Sequence, residues 1–236
     1  METIQKKRYT YEELLEIIAT LRGEGGCPWD REQTHASLKS CLMEEAAELA
    51  AAIRIYTVCG DYENFIEELG DVLLQVVMHS QIAKEEGLFS MEEVVDAIAT
   101  KMVRRHPHVF ADTVASDSPM VLENWEKIKK IEKASKKYQI TPLRELPLEL
   151  PALTRATKVL KKSQQYYGSE AEDLEIIIER LKQQIDILQN QVADKDMISE
   201  TITNMLWELS NISNQYKIQQ EELLNEKIEN YIAKYE

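Results

Sequence analysis

Apolar residues recur along most of the chain at the three-to-four-residue spacing of helices, and no long run alternates at the two-residue period of a strand. Residues 10–22 form the first helical segment. Leu14, Leu15, Ile17, Ile18 and Leu21 supply its apolar face, Thr10 stands at the N-cap, and Glu13 completes a capping box. Gly23-Glu24-Gly25-Gly26 stops it, and because no Gly-Lys-Ser/Thr follows, this glycine run is not a phosphate-binding loop. Cys27 to Thr34 reads as a loop. Helices follow at about 36–55 and 62–86, separated by Cys59-Gly60-Asp61, with Gly87 as the stop of the second. Ser90 caps another helix, with Glu93 at the capping-box position, and residues 121–137 give a further amphipathic one. Pro142, Pro147 and Pro151 mark a linker, beyond which residues 153–162, 172–191, 199–215 and 221–235 are again helical. The expected fold is all-α, with one domain over 1–137, the linker over 138–151 and a second helical domain over 152–236.

Two helices carry acids inside apolar patterns. On a wheel of about 100° per residue, Leu38, Leu42, Leu49 and Ile53 fall within roughly 60° of one another; Glu45 lies inside that stripe and Glu48 at its edge. In the next helix Ile66, Leu69, Leu73, Val76 and Val77 make one face, with Glu68 at its border. Asp71 points further round, toward Leu74 and Met78, so this helix is apolar on nearly every side and is expected to be central. A lone Glu-Glu-x-x-Glu is ordinarily a solvated face. A carboxylate in a core-facing row costs several kcal/mol unless something compensates it. Two i,i+3 carboxylate pairs on helices joined by a short loop are expected to converge, and a divalent cation compensates several carboxylates at once. Oxygen donors of this hardness suit Mg²⁺, with Mn²⁺ as substitute, rather than zinc.

The net charge of −14 over 236 residues argues against a nucleic-acid backbone binder, which needs clustered cations. It leaves room for a small anionic ligand bridged by a metal. Cys27, Cys41 and Cys59 are odd in number and lack C-x-x-C spacing, as expected of reduced thiols. With no apolar signal region and no long apolar run, the expected location is cytoplasmic, off the membrane. Local cations do exist: Lys101, Arg104 and Arg105 share one face at a helix C-terminus, where they either complement the helix dipole or clamp phosphates. Trp29, with Asp30 and Gln33, is either a hydrophobic plug beside a helix cap or the wall of a nucleobase pocket. Trp125 and Lys129 lie at i,i+4 on the amphipathic helix, and His106 and His108, flanking Pro107, read as structural.

The C-terminal half resembles a faded repeat of the first. Laying Phe65–Leu74 on Ile198–Trp207 puts Thr201 at the place of Glu68 and Asn204 at that of Asp71; a looser match sets Gln184 and Ile187 opposite Glu45 and Glu48. A second site without carboxylates could hardly hold divalent cations, so this half is expected to be a scaffold or dimerisation unit.

Taken jointly, Cys27-Pro28-Trp29-Asp30, Gln33-Thr34, Glu44-Glu45-x-x-Glu48, Glu68-x-x-Asp71, Leu74-Gln75-Val76-Val77-x-His79 and the stretch from Lys101 to Phe110 resemble the MazG family of all-α nucleoside triphosphate pyrophosphohydrolases. The match is close over residues 10–133 and weak beyond. The resemblance implies a four-helix-bundle-type catalytic domain that assembles as a homodimer or larger. It implies Mg²⁺-dependent conversion of (d)NTPs to (d)NMP and pyrophosphate, with a permissive, house-cleaning role toward non-standard nucleotides. By the same resemblance Glu45, Glu48, Glu68 and Asp71 hold the metal, and Glu44 assists them or takes a proton from the attacking water. Lys101 and Arg105, with Arg104, Trp125 and Lys129, contact substrate. Two rivals stand beside this reading. One is a non-catalytic nucleotide-binding or dimerisation module; the other is a helical adaptor presenting residues 221–236 to a partner.

Overall fold

A computed structural model describes residues 8–111, 117–134, 141–190 and 195–235. All regular structure among the described residues is helical. The elements are α1 (Tyr11–Arg22), α2 (Pro28–Glu32), α3 (Leu38–Cys59), α4 (Glu63–Glu85), α5 (Met91–Arg105), α6 (Pro107–Phe110), α7 (Ser118–Ala134), α8 (Ala152–Tyr167), α9 (Leu174–Asn190), α10 (Lys195–Gln215) and α11 (Gln220–Ile232). The expected all-α class is thereby met. Both expected capping boxes form: Thr10 N–H donates to Glu13 Oε2 at 2.8 Å while Glu13 N–H donates back to Thr10 Oγ1 at 3.2 Å, and Ser90 N–H reaches Glu93 Oε2 at 2.8 Å. Such a cap stabilises a helix start by about 1 kcal/mol.

Two short helices refine the reading: α2 lies in the stretch expected to be loop, and α6 is a separate helix where the preceding one was expected to run on to Phe110. Pro28 opens α2 and Pro107 opens α6, each supplying the fixed φ and missing N–H that suit a first helical position. Neither helix is long enough to show a period.

The chain divides into two units, 1–131 and 132–236, so the division falls inside α7 rather than at residue 137. Residues 141–150, expected to be linker, belong to the second unit. There Leu146 is buried, and Lys162 Nζ donates to Pro142 O at 2.8 Å and pairs with Glu145 at 3.2 Å.

In the first unit α4 packs against α3, α1 and α5. Its core is Ile18, Leu38, Val77, Met78 and Ile82, with Leu14, Leu15, Leu21 and Leu74 against them. Each such side chain stabilises the fold by about 1.5–3 kcal/mol when fully buried. The wheel arguments need one correction. Val77 is buried, but Ile53, Ile66, Leu69, Leu73 and Val76, expected to face a core, are exposed on this single chain. A helical wheel gives the direction of a face and says nothing of what covers it.

In the second unit α10 takes the place of α4, packing against α9 and α8, while α11 packs on α8. Its buried set is largely polar: beside Ile177 and Leu146 stand Thr201, Glu208, Ser210, Asn211 and Ser213. Arg180 bridges Glu172 and Glu208, the latter 8% exposed, and Asn211 Nδ2 donates to Glu172 at 2.8 Å.

The ends of α4 and α10 make the same pattern of backbone hydrogen bonds. Glu86 N–H donates to Ile82 O, Gly87 to Lys84 O and Leu88 to Ala83 O at 3.0, 3.1 and 2.9 Å. Tyr216 N–H donates to Ile212 O, Lys217 to Asn214 O and Ile218 to Ser213 O at 3.0, 3.3 and 2.8 Å. Gly87 at φ +69° is answered by Lys217 at φ +56°. Aligned on this turn, Ile198 stands opposite Glu68 and Thr201 opposite Asp71, three residues from the alignment that the sequence suggests. Holding a lysine there costs about 1–2 kcal/mol of left-handed strain, which a glycine avoids.

Candidate active site

Gly60 ends α3 in the left-handed conformation, φ +76°, its N–H donating to Tyr56 O at 2.9 Å. The chain turns there and runs back as α4, an antiparallel neighbour. That turn brings Glu45 and Glu48 of α3 beside Glu68 of α4: one carboxylate oxygen from each lies within 4.8 Å of the other two. Glu45, Glu68 and Asp71 are half-buried, whereas Glu48 and Glu44 are exposed.

Crowding shows in the acidities. Burial, then the charges of Asp71, Glu48 and Glu44, push the Glu45 carboxyl above its usual range. Burial also leads at Glu68, followed by the charges of Glu48, Asp71, Glu67 and Glu45. Four acids therefore repel one another across the seam between α3 and α4. Glu68 Oε2 is buried without a hydrogen-bond partner among the described residues. An oxygen in that state asks for a proton or a cation. The donors are all carboxylates, three of the four are half-buried, and one oxygen is unsatisfied; this set fits Mg²⁺ or Mn²⁺ rather than zinc.

Sequence reasoning passed over Gln75. It stands one turn beyond Asp71 on α4, is 5% exposed, and its Oε1 finds no partner among the described residues. Its sequence signals are a polar residue in an apolar run and its place in the Leu74-Gln75-Val76-Val77-x-His79 stretch, neither of which gives it a role.

The loop of Trp29, Asp30 and Gln33 is built on α1. Gly26 crosses so close to the end of α1 that a Cβ there would collide with the carbonyl oxygens of Thr20 and Leu21, and the approach lets Cys27 N–H donate to Leu21 O at 2.8 Å. Arg22, its side chain 5% exposed, then holds the loop from below. Its Nη1 donates to the carbonyls of Asp30 and Gln33, and its Nη2 pairs with Glu85 of α4 at 2.8 Å. Gln33 is spent inside the loop, donating to Trp29 O at 2.9 Å and accepting from Ser37 Oγ at 2.7 Å. Trp29 is 61% exposed, which removes the hydrophobic-plug reading and leaves its ring free to stack. His35 and His79 share a hydrogen bond, Nδ1 to Nδ1 at 2.8 Å, with rings stacked at 5.1 Å, so the entry to α3 is pinned on α4. Arg22 and the two histidines were also missed, because their partners are distant in sequence.

The cationic stretch has contacts of its own. Arg105 lies over the Trp125 ring at 5.1 Å, and His106 meets the same ring edge-on at 5.0 Å. Lys129 pairs with Glu126 at 3.2 Å, Lys101 is half-buried and Arg104 exposed. The structure thus unites Arg105 with Trp125 and the acids with one another.

Known proteins supply the family. The model of the MazG nucleotide pyrophosphohydrolase domain matches residues 33–110, which span α3, α4 and α5. The chain is similar to the nucleoside triphosphate pyrophosphohydrolase/pyrophosphatase MazG of Thermotoga maritima, 36% identical over 95% of this chain and 84% of that protein. It is similar also to a nucleoside triphosphate pyrophosphohydrolase of Escherichia coli, 38% identical over 86% of this chain and 76% of that protein. A third relative, the uncharacterized protein YabN of Bacillus subtilis, is 47% identical over 67% of this chain, which spans only 32% of it. With both acid pairs on neighbouring helices and relatives aligned along nearly its whole length, the chain belongs to the MazG family of nucleotide pyrophosphohydrolases, hydrolases of phosphoric anhydride bonds.

Proposed function

We propose that the first unit hydrolyses nucleoside triphosphates to monophosphate and pyrophosphate with Mg²⁺, or Mn²⁺ in its place, held by Glu45, Glu48, Glu68 and Asp71. The observation that carries this reading is the convergence of three carboxylates within 4.8 Å around an unpartnered Glu68 oxygen. A divalent ion there supplies the positive charge that a triphosphate needs before water can approach it, and it acidifies that water. The protein does the rest. Glu44, exposed and close enough to raise Glu45, accepts the proton of the attacking water. Gln75 orients polar groups at the inner end of the seam. Lys101 and Arg105, with Arg104, neutralise the departing pyrophosphate, and Trp125 holds the Arg105 guanidinium by stacking. Trp29, carried on a loop clamped by Arg22, stacks on the base, with Asp30 beside it. Such a contact is indifferent to which base is present, in keeping with a permissive enzyme that removes several triphosphates.

The exposed apolar face of α3 and α4 supports a homodimer: Ile53, Ile66, Leu69, Leu73 and Val76 would be covered by a second copy. Among the described residues no helix is long and apolar enough to cross a membrane. The free thiols of Cys27, Cys41 and Cys59 suit the reducing cytoplasm. The second unit, whose residues opposite Glu68 and Asp71 are Ile198 and Thr201, serves as scaffold. Pyrophosphate release from a panel of (d)NTPs, with and without magnesium, tests the reading. Metal-independent turnover, or none with any nucleotide, would refute it.

A further inference from the structure

The second unit has lost the acids but carries a site of the opposite charge. Between α8, the end of α10 and the turn before α11 lies a groove of 690 Å³, lined among others by Thr157, Lys158, Lys161, Ser213, Asn214 and Lys217. Its volume lies within the range of small-molecule sites, about 300–1,000 Å³. No carboxylate lines it. The nearest one in the bonding pattern, Glu221, is turned onto the Thr154 N–H at 3.4 Å.

Three features set this groove apart from a solvated surface. First, Lys158, Lys161 and Lys217 make no side-chain hydrogen bond or ion pair with any described residue, in a chain of 42 acids against 28 lysines and arginines. Second, Ser213 is 7% exposed, lies in the lining, and its hydroxyl has no hydrogen bond within the described residues. Third, Lys217 occupies the left-handed position that Gly87 fills in the first unit, so a strained backbone is kept with a charged side chain on it. A groove of the first unit, between α1, α4 and the start of α5, is lined by Glu12, Glu16 and Glu92 against the single Lys84.

The geometry points to this groove as a binding site for a small phosphate-bearing anion, inorganic or the phosphate end of a nucleotide, separate from the carboxylate seam. Unpaired ammonium groups along a concave wall focus a positive potential on the space between them. The Ser213 hydroxyl adds a donor at the floor. Binding here requires no metal, because the charge is supplied by the lysines.

Calorimetric titration of the full chain in EDTA, with inorganic pyrophosphate in one arm and a nucleoside diphosphate in the other, tests the inference. EDTA removes the contribution of the carboxylate seam, so the outcome is independent of the catalytic reading. Saturable one-to-one binding is expected in at least one arm. It should weaken about tenfold or more in Lys158→Gln/Lys161→Gln and several-fold in Lys217→Gly. It should be unchanged in Lys84→Gln of the other groove. Pyrophosphate without the diphosphate identifies an inorganic ligand; the diphosphate bound more tightly identifies a nucleotide. Helicity by circular dichroism accompanies each variant, and Lys217→Gly keeps the test valid if the double variant unfolds, since glycine suits that turn. Absence of saturable binding, equal binding by all variants, or the same affinity for sulfate, meaning an adventitious ion only, would overturn the proposal.

Discussion

The two units share a turn to the hydrogen bond and differ in what they put on the helices leading to it. In the first, α4 carries Glu68 and Asp71 against Glu45 and Glu48 of α3, over an apolar core of Ile18, Leu38, Val77, Met78 and Ile82. In the second, Ile198 and Thr201 stand in the places of the α4 acids, and Arg180, Glu172 and Glu208 form an ionic network where the first unit is greasy: Glu208 takes the place of Met78. Helix packing and site chemistry are thus separable in this fold. The acids do not hold the first unit together; they repel, and the core tolerates them. Once they are gone, the second unit is free to spend buried positions on polar partners and its groove on lysines.

The largest effect that would sharpen this contrast is catalytic. Glu45→Gln or Asp71→Asn is expected to lower pyrophosphate release by about 10³-fold or more, several kcal/mol of transition-state stabilisation, with helicity intact. Thr201→Ala, at the matching place in the second unit, should leave turnover unchanged. Comparable losses at both places would erase the distinction between the units.

Next come the charge clamps, one in each unit. Arg22→Ala strands Glu85 and frees two loop carbonyls, and should cost about 2–3 kcal/mol in denaturant unfolding. Arg180→Ala leaves the nearly buried Glu208 uncompensated and should cost a similar amount. Replacing Arg180, Glu172 and Glu208 together by apolar residues of similar volume should recover most of that loss, whereas no such rescue is expected at Arg22, whose partners include backbone carbonyls.

The paired turns give a smaller effect. Gly87→Ala forces a side chain into φ +69° and should cost about 1 kcal/mol or slightly more. Lys217→Gly relieves the same strain but adds unfolded-chain freedom, so its net change should stay below about 1 kcal/mol in either direction.

A pH effect, the smallest, belongs to the first unit alone. Burial, then the nearby His35, holds His79 below the usual histidine range. The folded state therefore binds fewer protons at this residue than the unfolded chain. Its stabilising contribution is complete above about pH 6.5, the unfolded value, and is lost as pH falls from there through the folded value. Thermal unfolding between pH 7 and 5.5 should be steeper for the wild type than for His79→Gln; equal slopes would remove the histidine pair from this role.

Much of the fold is legible in the sequence because its signals are local. Both capping boxes, the Gly60 and Gly87 stops and the periodic faces of α1, α3, α4 and α5 each declare themselves within a few residues. The acid pairs are legible in the same way, through spacing on two helices separated by a short turn. What was hidden is non-local or disguised. Arg22 resembles an ordinary dipole-complementing residue until α4 brings Glu85 to it, 63 positions away. His35 and His79 meet only after α3 has folded back. The turn shared by α4 and α10 is disguised because a glycine in the first is a lysine in the second. The open apolar face of α3 and α4 has the same period as a buried one.

The central claim is that Glu68 and its neighbours are acids crowded together to hold a divalent cation. Titrating Mg²⁺ and Mn²⁺ calorimetrically into metal-free wild type and Glu68→Gln tests it most directly. Saturable binding by the wild type, weakened about a hundredfold or more in the variant, is the expected result. Equal affinity in the two proteins, or full catalytic activity in a wild type that binds neither ion, would contradict it.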